Sequence, residues 1–282
     1  MSASIEQIDF HGQPAVRLAT SDGASAIVSL FGAQVLSWIP AGGEERLYLS
    51  PAALHDGHTP VRGGIPVCFP QFSDLGSLPK HGLLRTLPWQ LQEQREGDTY
   101  AHVTLRITDD DTTRALWPAR FAAELTVAID RDRLDVEFEV ENRGDASFSF
   151  TAALHTYLRV REVENARLEG LHGCTYRDAA NGNPLVRDSG DAVTVSAETD
   201  RVYRAATRPL LLRDSGRSVA IKSEGFPDIV VWNPWEHRCA QLRDMPANGF
   251  RHMLCVEAAV EEQAVELKPG ADWFGRQTLV AI

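Results

Sequence analysis

Strict alternation between Leu134 and Glu141, where the sequence reads Leu-Asp-Val-Glu-Phe-Glu-Val-Glu, constrains the fold more than any other feature of the chain. Successive side chains of a β-strand point to opposite faces, so this pattern predicts a strand with one buried face and one solvated face. The preceding run Leu125–Ile129 predicts a partner strand. The polar residues 130–133 between them predict a tight turn, and together these features indicate a β-hairpin.

Short runs of the same kind recur along the chain, separated by Gly, Pro, Asp and Asn. They are Ser25–Leu30, Thr99–Ile107, Ser147–Val160, Ala192–Ala197, Ser218–Lys222, Asp228–Trp232, Met253–Ala258 and Ala264–Leu267. Helical periodicity is weak, and only Pro51–His55 and Asp111–Leu116 favour a turn or two of helix. Many short strands predict an all-β fold, an antiparallel β-sandwich. No repeat or linker divides the chain, so we expect a single domain over residues 1–282.

Charge and hydropathy exclude two classes of partner. The formal net charge of −11 argues against nucleic acid, because phosphate backbones are bound by basic faces. No apolar run approaches about 18 residues, so we expect no membrane span. The first residues lack a basic start followed by an apolar run, so we expect no signal peptide. The four cysteines are then expected to be reduced and the protein to be cytoplasmic.

The segment from Pro60 to Trp89 breaks the alternating rhythm. It is rich in proline and glycine, and loops of this length inside a compact domain are more often functional than idle. It carries Arg62, Lys80, His81 and Arg85 against a single acid. In a chain of net negative charge, this local excess of cations suggests a small-anion site.

His155 lies in the run Ser147–Val160, where alternation places it with Ser149, Thr151, Ala153 and Tyr157 on a face of polar and small residues. A histidine in that setting can exchange protons near neutral pH. Taken from this strand alone, a solvated surface histidine is the favoured interpretation.

Glu257 is the only acid in the apolar run 253–260. A carboxylate in such surroundings is expected to be partly desolvated, which raises its pKa and makes it a better base. An edge-strand residue that reaches water or pairs with an arginine is an equally good interpretation.

Other candidates are less specific. Asp200 and Asp228 each begin a run and could bind sugar hydroxyls, although such residues more often stabilise turns. Aromatic residues that could stack on a sugar, or simply fill the core, are Phe69, Phe72, Trp89, Trp232 and Trp235. His55 and His58 lack a third metal ligand at usable spacing. No nucleotide-binding motif is present, so we expect no cofactor.

Taken together, the motifs resemble the aldose 1-epimerase superfamily, and within it the hexose-6-phosphate mutarotases. The resemblance spans nearly the whole chain. It is carried, in order, by Arg62-Gly-Gly-Ile-Pro66, Pro79-Lys-His-Gly-Leu-Leu-Arg85 with Trp89, Leu154-His-Thr-Tyr157, Thr199-Asp-Arg-Val-Tyr203, Val231-Trp-Asn-Pro-Trp235 and Cys255-Val-Glu-Ala258.

This resemblance implies a galactose mutarotase-like supersandwich with the active site on a concave face. It implies that His155 is the catalytic acid and Glu257 the catalytic base. It assigns substrate binding to the following residues: Arg62, Lys80, His81, Arg85 and Asp200. Among these, Asp200 is expected to bind sugar hydroxyls and Arg85 the phosphate, whereas Arg62 could contact either the phosphate or the sugar ring.

The sequence therefore predicts a cofactor-free isomerase that acts on a small-molecule sugar phosphate, as a monomer or weak homodimer. Two alternatives stay open: an epimerase for free aldoses or another sugar phosphate, and a non-catalytic carbohydrate-binding or regulatory sandwich. Retention of both His155 and Glu257 weighs against the second, because binding alone needs no acid–base pair.

Overall fold

The structure is a computed structural model that describes residues 2–282, and these residues form 21 strands, numbered in chain order. The strands of the N-terminal half are β1 (Ser4–Phe10), β2 (Gln13–Ala19), β3 (Ser25–Ser29), β4 (Val35–Ile39), β5 (Val67–Cys68), β6 (Gln90–Glu96), β7 (Ala101–Thr108), β8 (Phe121–Ile129), β9 (Arg133–Asn142), β10 (Phe148–Leu154) and β11 (Tyr157–Arg159). Those of the C-terminal half are β12 (Arg167–Glu169), β13 (Thr175–Asp178), β14 (Leu185–Arg187), β15 (Ala192–Val193), β16 (Thr199–Tyr203), β17 (Leu210–Asp214), β18 (Arg217–Glu224), β19 (Asp228–Asn233), β20 (Met253–Leu267) and β21 (Asp272–Ala281).

Helices are few and short. The α-helices are α1 (Asp111–Leu116) and α2 (Trp235–Cys239), and the 3₁₀ turns are Leu84–Thr86, Val163–Asn165, Ala179–Asn181 and Gly249–His252. The predicted helix at 111–116 is confirmed, and a capping box between Asp110 and Thr113 starts it. The prediction for Pro51–His55 is wrong, because only a turn forms there. No helix within residues 2–282 is long and apolar enough to cross a membrane.

The strands form three sheets. A four-stranded sheet has the order β1-β2-β3-β4, and a nine-stranded sheet has the order β15-β12-β17-β18-β21-β9-β8-β7-β6. The eight-stranded sheet runs β14-β13-β16-β19-β20-β10-β5, with β11 also paired to β20. Neighbouring strands pair antiparallel in all three. The predicted all-β antiparallel sandwich is therefore confirmed.

The core lies between the two large sheets and is rich in aromatic rings. Phe138 on β9 packs against Phe69, with ring centroids 5.7 Å apart, and Phe150 on β10 packs against Trp273 on β21 at 5.3 Å. Alternation produces this arrangement. On β9 the apolar side chains Leu134, Val136, Phe138 and Val140 are buried, whereas the acidic residues between them stay half-exposed.

Two predicted strand boundaries are corrected by the structure. The run Ser147–Val160 is two strands, because the chain leaves the ladder at His155 and Thr156. There the buried Thr156 hydroxyl donates to Gln277 of the opposite sheet, which pulls that residue into the core. Conversely, 253–258 and 264–267 belong to the single strand β20, whose register shifts where it pairs with β10. Such a bulge interrupts an alternating pattern without ending the strand.

Candidate active site

A cavity of about 200 Å³ opens over the face of the eight-stranded sheet that points away from the core. Predicted site residues that line it are Arg62, Lys80, His81, His155, Asp200 and Glu257. These side chains come from strands, loops and turns spread over most of the chain, and the fold brings them together around a space that suits a small molecule. Arg85 is the one predicted site residue outside this lining.

His155 is located where the strand ladder breaks. Its backbone N–H donates to the carbonyl of Pro66 at 3.0 Å, and its imidazole stacks on the Tyr157 ring, with centroids 4.8 Å apart and planes inclined by 10°. The side chain is 10% exposed. The interpretation as a solvated surface histidine is therefore wrong, because the Pro60–Trp89 segment covers this face of the sheet.

Glu257 lies on the central strand β20, directly opposite Val230 of β19, and is 1% exposed. Its Oε1 is 3.3 Å from Nδ1 of His155. Its Oε2 has no hydrogen-bond partner among residues 2–282, and neither does Nδ1. A carboxylate this deeply buried normally finds hydrogen-bond donors, so the free oxygen at the cavity floor points to a ligand that supplies one. The alternative of an edge residue that reaches water is excluded.

Burial acts on both members of this pair in the direction that disfavours charge. It raises the pKa of Glu257 well above 4.5, and the nearby Asp200 carboxylate adds to this rise while Lys80 opposes it. Burial lowers the pKa of His155 well below 6.5, helped by His81, Arg62 and Arg85. The two groups are close enough to titrate as one unit. Burial therefore favours the uncharged pair, in which Glu257 holds the proton and His155 is neutral. Transfer of that proton from Glu257 to His155 produces the charged pair, a carboxylate base beside an imidazolium acid.

His81 faces His155 edge-on, with ring centroids 5.2 Å apart, and is 7% exposed. Its Nδ1 accepts the N–H of Ser73 at 3.3 Å, which leaves the ring proton on Nε2. Burial lowers the pKa of His81 to about 2, and the cations Arg85, Lys80 and Arg62 add to this effect. His81 is thus a neutral hydrogen-bond donor, suited to hold a substrate oxygen rather than to carry charge.

Arg62 lines the cavity but is held firmly by protein groups. Its Nε donates to Asp244 Oδ2 at 3.1 Å and its Nη1 donates to the Tyr157 hydroxyl at 2.9 Å. Gly64, two residues further on, has a φ of +61°, and a Cβ there would collide with the carbonyl oxygen of Val35. The Arg-Gly-Gly motif therefore fixes the arginine tightly against the sheet. Neither Asp244 nor the role of Tyr157 was predicted, because these contacts join residues far apart in sequence.

The two aspartates that begin strands play different parts. Asp200 on β16 lines the cavity, and burial raises its pKa, partly offset by Arg238, Arg177 and Lys80. Asp228 on β19 is 3% exposed and instead accepts the backbone N–H groups of Glu261 and Glu262, each at 3.1 Å. Asp228 therefore stabilises the bulge of β20, which is a structural role rather than a contact with sugar hydroxyls.

Lys80 and Arg85 are linked by one contact. Arg85 Nη2 donates to the backbone carbonyl of Lys80 at 2.7 Å, while the Lys80 ammonium lies 3.1 Å from the Asp74 carboxylate. An ion pair with Glu93 or Glu96 would be an alternative role for Arg85, but neither acid pairs with it, and Glu93 pairs with Arg95 instead. Arg85 therefore supports the segment that presents Lys80 to the cavity, and its direct contact with phosphate stays a prediction.

Among the aromatic candidates, only two line the cavity: Phe72 and Trp232. Phe69 and Trp89 are buried in the core, and Trp235 packs on Phe250 with centroids 5.1 Å apart. The core interpretation is therefore correct for these three.

Arg238 on α2 is a cavity residue that the sequence analysis missed. The motif 231–235 explains its position. Asn233, which is fully buried, accepts the N–H of Trp235 at 2.9 Å and donates to the carbonyls of Phe250 and Met253 at 2.8 and 2.9 Å. These bonds fix α2 over the site. Within this motif, the side-chain amide of Asn233 positions α2, and the tryptophans do not.

Cys255 lies beside the pair, and the ligand atoms of His155, Cys255 and Glu257 are within 4.8 Å of one another. Nitrogen, sulfur and oxygen ligands of this kind suit Zn²⁺. Burial raises the pKa of both the thiol and the carboxyl group, so a metal ion would have to displace two protons to bind there.

Comparison with known proteins shows the family and the fold of this chain. The sequence model of the aldose 1-epimerase family matches residues 14–279. The chain belongs to the aldose 1-epimerase family. A relative in this family from Cenchrus ciliaris, provisionally named glucose-6-phosphate 1-epimerase, is 34% identical over 91% of this chain and 81% of its own. A protein of the same provisional name from Salmonella typhimurium is 32% identical over 86% of this chain and 83% of its own.

Solved structures place this aldose 1-epimerase family member in the same fold. A crystal structure from Salmonella typhimurium, described provisionally as a mutarotase, superposes with a TM-score of 0.91 at 26% identity, covering 98% of this chain and 93% of that chain. A galactose 1-epimerase from Lactobacillus acidophilus superposes with a TM-score of 0.77 at 14% identity, covering 100% and 99%. The resemblance and the galactose mutarotase-like fold that it implies are confirmed.

Proposed function

We propose that this protein is a mutarotase that interconverts the α and β anomers of a hexose 6-phosphate, with glucose 6-phosphate as the first substrate to test. We propose further that one domain over residues 1–282 does this, as a monomer or weak homodimer in the cytoplasm. The observation that carries the proposal is the buried pair of Glu257 and His155, 3.3 Å apart on the floor of a cavity. The provisional names of the relatives support the phosphorylated substrate.

The proposed reaction needs an acid and a base close together, because O1 and the ring oxygen O5 are bonded to the same carbon. Glu257 takes the proton of the O1 hydroxyl while His155 gives a proton to O5. The C1–O5 bond breaks and C1–O1 becomes a carbonyl. Rotation about C1–C2 presents the other face of the aldehyde, and closure returns both protons. Each well-placed acid or base typically contributes about 10²–10⁴-fold.

The remaining residues are proposed to bind the sugar. Asp200 is available for hydroxyl groups, because it lines the cavity, where burial raises the pKa of its carboxyl group. His81 offers Nε2–H to a substrate oxygen, and Arg62 faces the same space. Lys80 supplies positive charge at the cavity, and Arg85 supports Lys80 through its carbonyl.

The test is anomer exchange measured by NMR on α-glucose 6-phosphate and α-glucose side by side, with an enzyme-free sample correcting for spontaneous exchange. We expect catalysed exchange of both sugars or of the phosphosugar alone, with the higher kcat/KM for the phosphosugar. A preference for free glucose would favour the free-aldose epimerase. Exchange at the spontaneous rate for both, together with measurable binding, would favour the non-catalytic sandwich.

A further inference from the structure

Gln277 is a polar side chain that lies in the core between the two large sheets. It lies on β21 between Gly275 and Leu279, which share the inward-facing side of that strand, and it is 1% exposed. A buried amide destabilises the fold unless its polar atoms are paired. Both polar atoms of Gln277 are paired, and both partners belong to the eight-stranded sheet.

The two partners of Gln277 adjoin the proposed acid and base. Its Oε1 accepts the hydroxyl of Thr156, which follows His155 in the chain. Its Nε2 donates to the carbonyl of Val256 at 3.0 Å, and Val256 precedes Glu257. A carbonyl can only accept, so Nε2 must face Val256 and Oε1 must face the hydroxyl. One side chain thus binds both strand segments on the core side, directly behind the pair.

A break in the strand ladder makes room for this contact. The register on both sides of the break places Thr156 opposite Val256. The N–H of Val256 donates to the carbonyl of Thr156 at 3.0 Å, as in an antiparallel pair, where a second bond normally runs in return. The return bond is missing, because the N–H of Thr156 turns back to the carbonyl of Leu154 at 2.9 Å. The Gln277 amide takes the place of that N–H at the Val256 carbonyl.

The separation of His155 and Glu257 depends on how their segments are joined at this break. The backbone N–H of His155 donates to Pro66 at 3.0 Å, on the side of β10 that faces away from β20. Next to the pair, the segments are joined by one backbone bond and by the Gln277 side chain. An acid and a base must lie within hydrogen-bond reach of the atoms they serve, and a displacement of about 1 Å can slow a reaction about 10²-fold.

We propose that Gln277 is a positioning residue of the reaction, which sets the separation of His155 and Glu257 from the opposite sheet. It acts through the Thr156 hydroxyl and the Val256 carbonyl, and it has no contact with substrate, since it does not line the cavity. This inference rests on the proposed function. It assigns a task to a buried amide at an inward position of the nine-stranded sheet, where an apolar side chain would need no polar partners.

The experiment measures kcat, KM and Tm in Gln277→Met, Thr156→Val and Thr156→Ser. Anomer exchange is followed by NMR on whichever of glucose 6-phosphate and glucose the wild type converts faster. Methionine is similar in size to glutamine but makes neither hydrogen bond, and valine keeps the shape of threonine without its hydroxyl. We expect kcat to fall about 10- to 100-fold in Gln277→Met with KM nearly unchanged, because the acid–base pair is displaced while the sugar-binding residues are not.

The two Thr156 variants test the same link from its other end. Thr156→Val should lower kcat in the same way but by a smaller factor, because the bond to Val256 remains. Thr156→Ser keeps the hydroxyl and should stay near the wild-type kcat. The double variant of Gln277→Met with Thr156→Val should lose little more than Gln277→Met alone, since both changes remove one link.

Asn142→Leu is the matched control. Asn142 is also a fully buried amide that joins separate segments, because its Nδ2 donates to the carbonyls of Ala146 and Leu267 at 2.9 and 2.8 Å. It does not line the cavity. We expect Asn142→Leu to lower Tm, as Gln277→Met does, and to leave kcat unchanged.

The outcomes separate this inference from the proposed function. A wild-type kcat in Gln277→Met, or an equal fall of kcat in Asn142→Leu, would mean that Gln277 only satisfies buried polar groups, and the proposed function would stand. If Gln277→Met does not fold, an equal kcat in Thr156→Val and Thr156→Ser would overturn the inference in the same way. Exchange at the spontaneous rate in the wild type would instead contradict the proposed function, and the inference with it.

Discussion

The two large sheets treat their charged residues in opposite ways. On the outer face of the nine-stranded sheet, three acidic side chains are partly exposed and paired with arginine: Arg106 binds Glu124, and Arg276 binds Glu137 and Glu224. On the outer face of the eight-stranded sheet, Glu257 and His155 are buried, and each keeps a polar atom without a hydrogen-bond partner. An exposed ion pair costs the fold little stability, because water solvates both charges. A buried carboxyl group without a hydrogen-bond partner destabilises the fold, and such groups are found mainly at functional sites.

What covers each face explains the difference. Solvent lies over the acidic stripe of β9, so alternation there produces an ordinary wetted surface. Over β20 lie the Pro60–Trp89 segment and α2, which contribute His81, Lys80 and Arg238 to the cavity. The same strand pattern thus serves as a surface on one sheet and as the floor of a site on the other.

The largest expected effect is a loss of activity when a carboxylate of the eight-stranded sheet is replaced, but not when one of the nine-stranded sheet is replaced. Glu257→Gln should lower kcat by about 10²–10⁴-fold, because the amide keeps the shape of the side chain but cannot accept a proton. His155→Asn should do likewise. Glu139→Gln on the outer face of β9 is the matched control and should leave anomer exchange unchanged, measured by NMR. Near wild-type exchange in Glu257→Gln would remove Glu257 from the mechanism.

The second comparison concerns stability and pH. Burial raises the pKa of Glu257 in the folded protein above its ordinary 4.5. Between those two pKa values the folded state keeps a proton that the unfolded state has lost, so the free energy of unfolding falls as pH rises. In the Glu257→Gln variant this decrease in the free energy of unfolding does not occur, because the amide does not titrate. Its Tm should match wild type near pH 4 and exceed it increasingly at higher pH, by about 2 °C for each kcal/mol relieved.

The control for that experiment again lies on the nine-stranded sheet. The pKa of Glu139 is also raised, by partial burial and then by neighbouring carboxylates such as Glu124 and Asp272. Because Glu139 is near solvent, the rise in Tm in Glu139→Gln should be smaller and should decrease with added salt. The rise in Tm in Glu257→Gln should persist at high salt. An equal effect of salt on the Tm of the two variants would contradict the conclusion that Glu257 is shielded from solvent.

The same contrast shows what sequence can predict. Alternation alone predicts the hairpin of β8 and β9, including its turn at 130–133, because one face is core and the other is water. It fails for β1, β2, β4 and β6, whose sequences do not alternate apolar and polar residues without a break. For the site, the motifs identified His155 and Glu257, and the structure places them 3.3 Å apart.

The site residues that were missed share one property. Asp244 binds Arg62 across 182 positions of sequence, and Arg238 enters the cavity only because the Asn233 amide is bonded to groups near the start of β20. Neither dependence leaves a local pattern, since a pairing between distant segments is visible only once the sheet has placed them. The covering of His155 was missed for the same reason, which made a surface residue the favoured interpretation.

The smallest expected effect tests the outer face itself. Arg106 and Glu124 form an ion pair on neighbouring strands, and each side chain is 31% exposed. A double-mutant cycle of Arg106→Gln and Glu124→Gln on the free energy of unfolding should give a coupling below about 1 kcal/mol, because water already solvates both charges and holding two long side chains together costs entropy. The coupling should fall further at high salt, and anomer exchange should not change. A coupling of several kcal/mol would mean that ion pairs hold this sheet together. The two sheets would then differ in whether their charged side chains are paired, and not in whether those side chains are shielded from water.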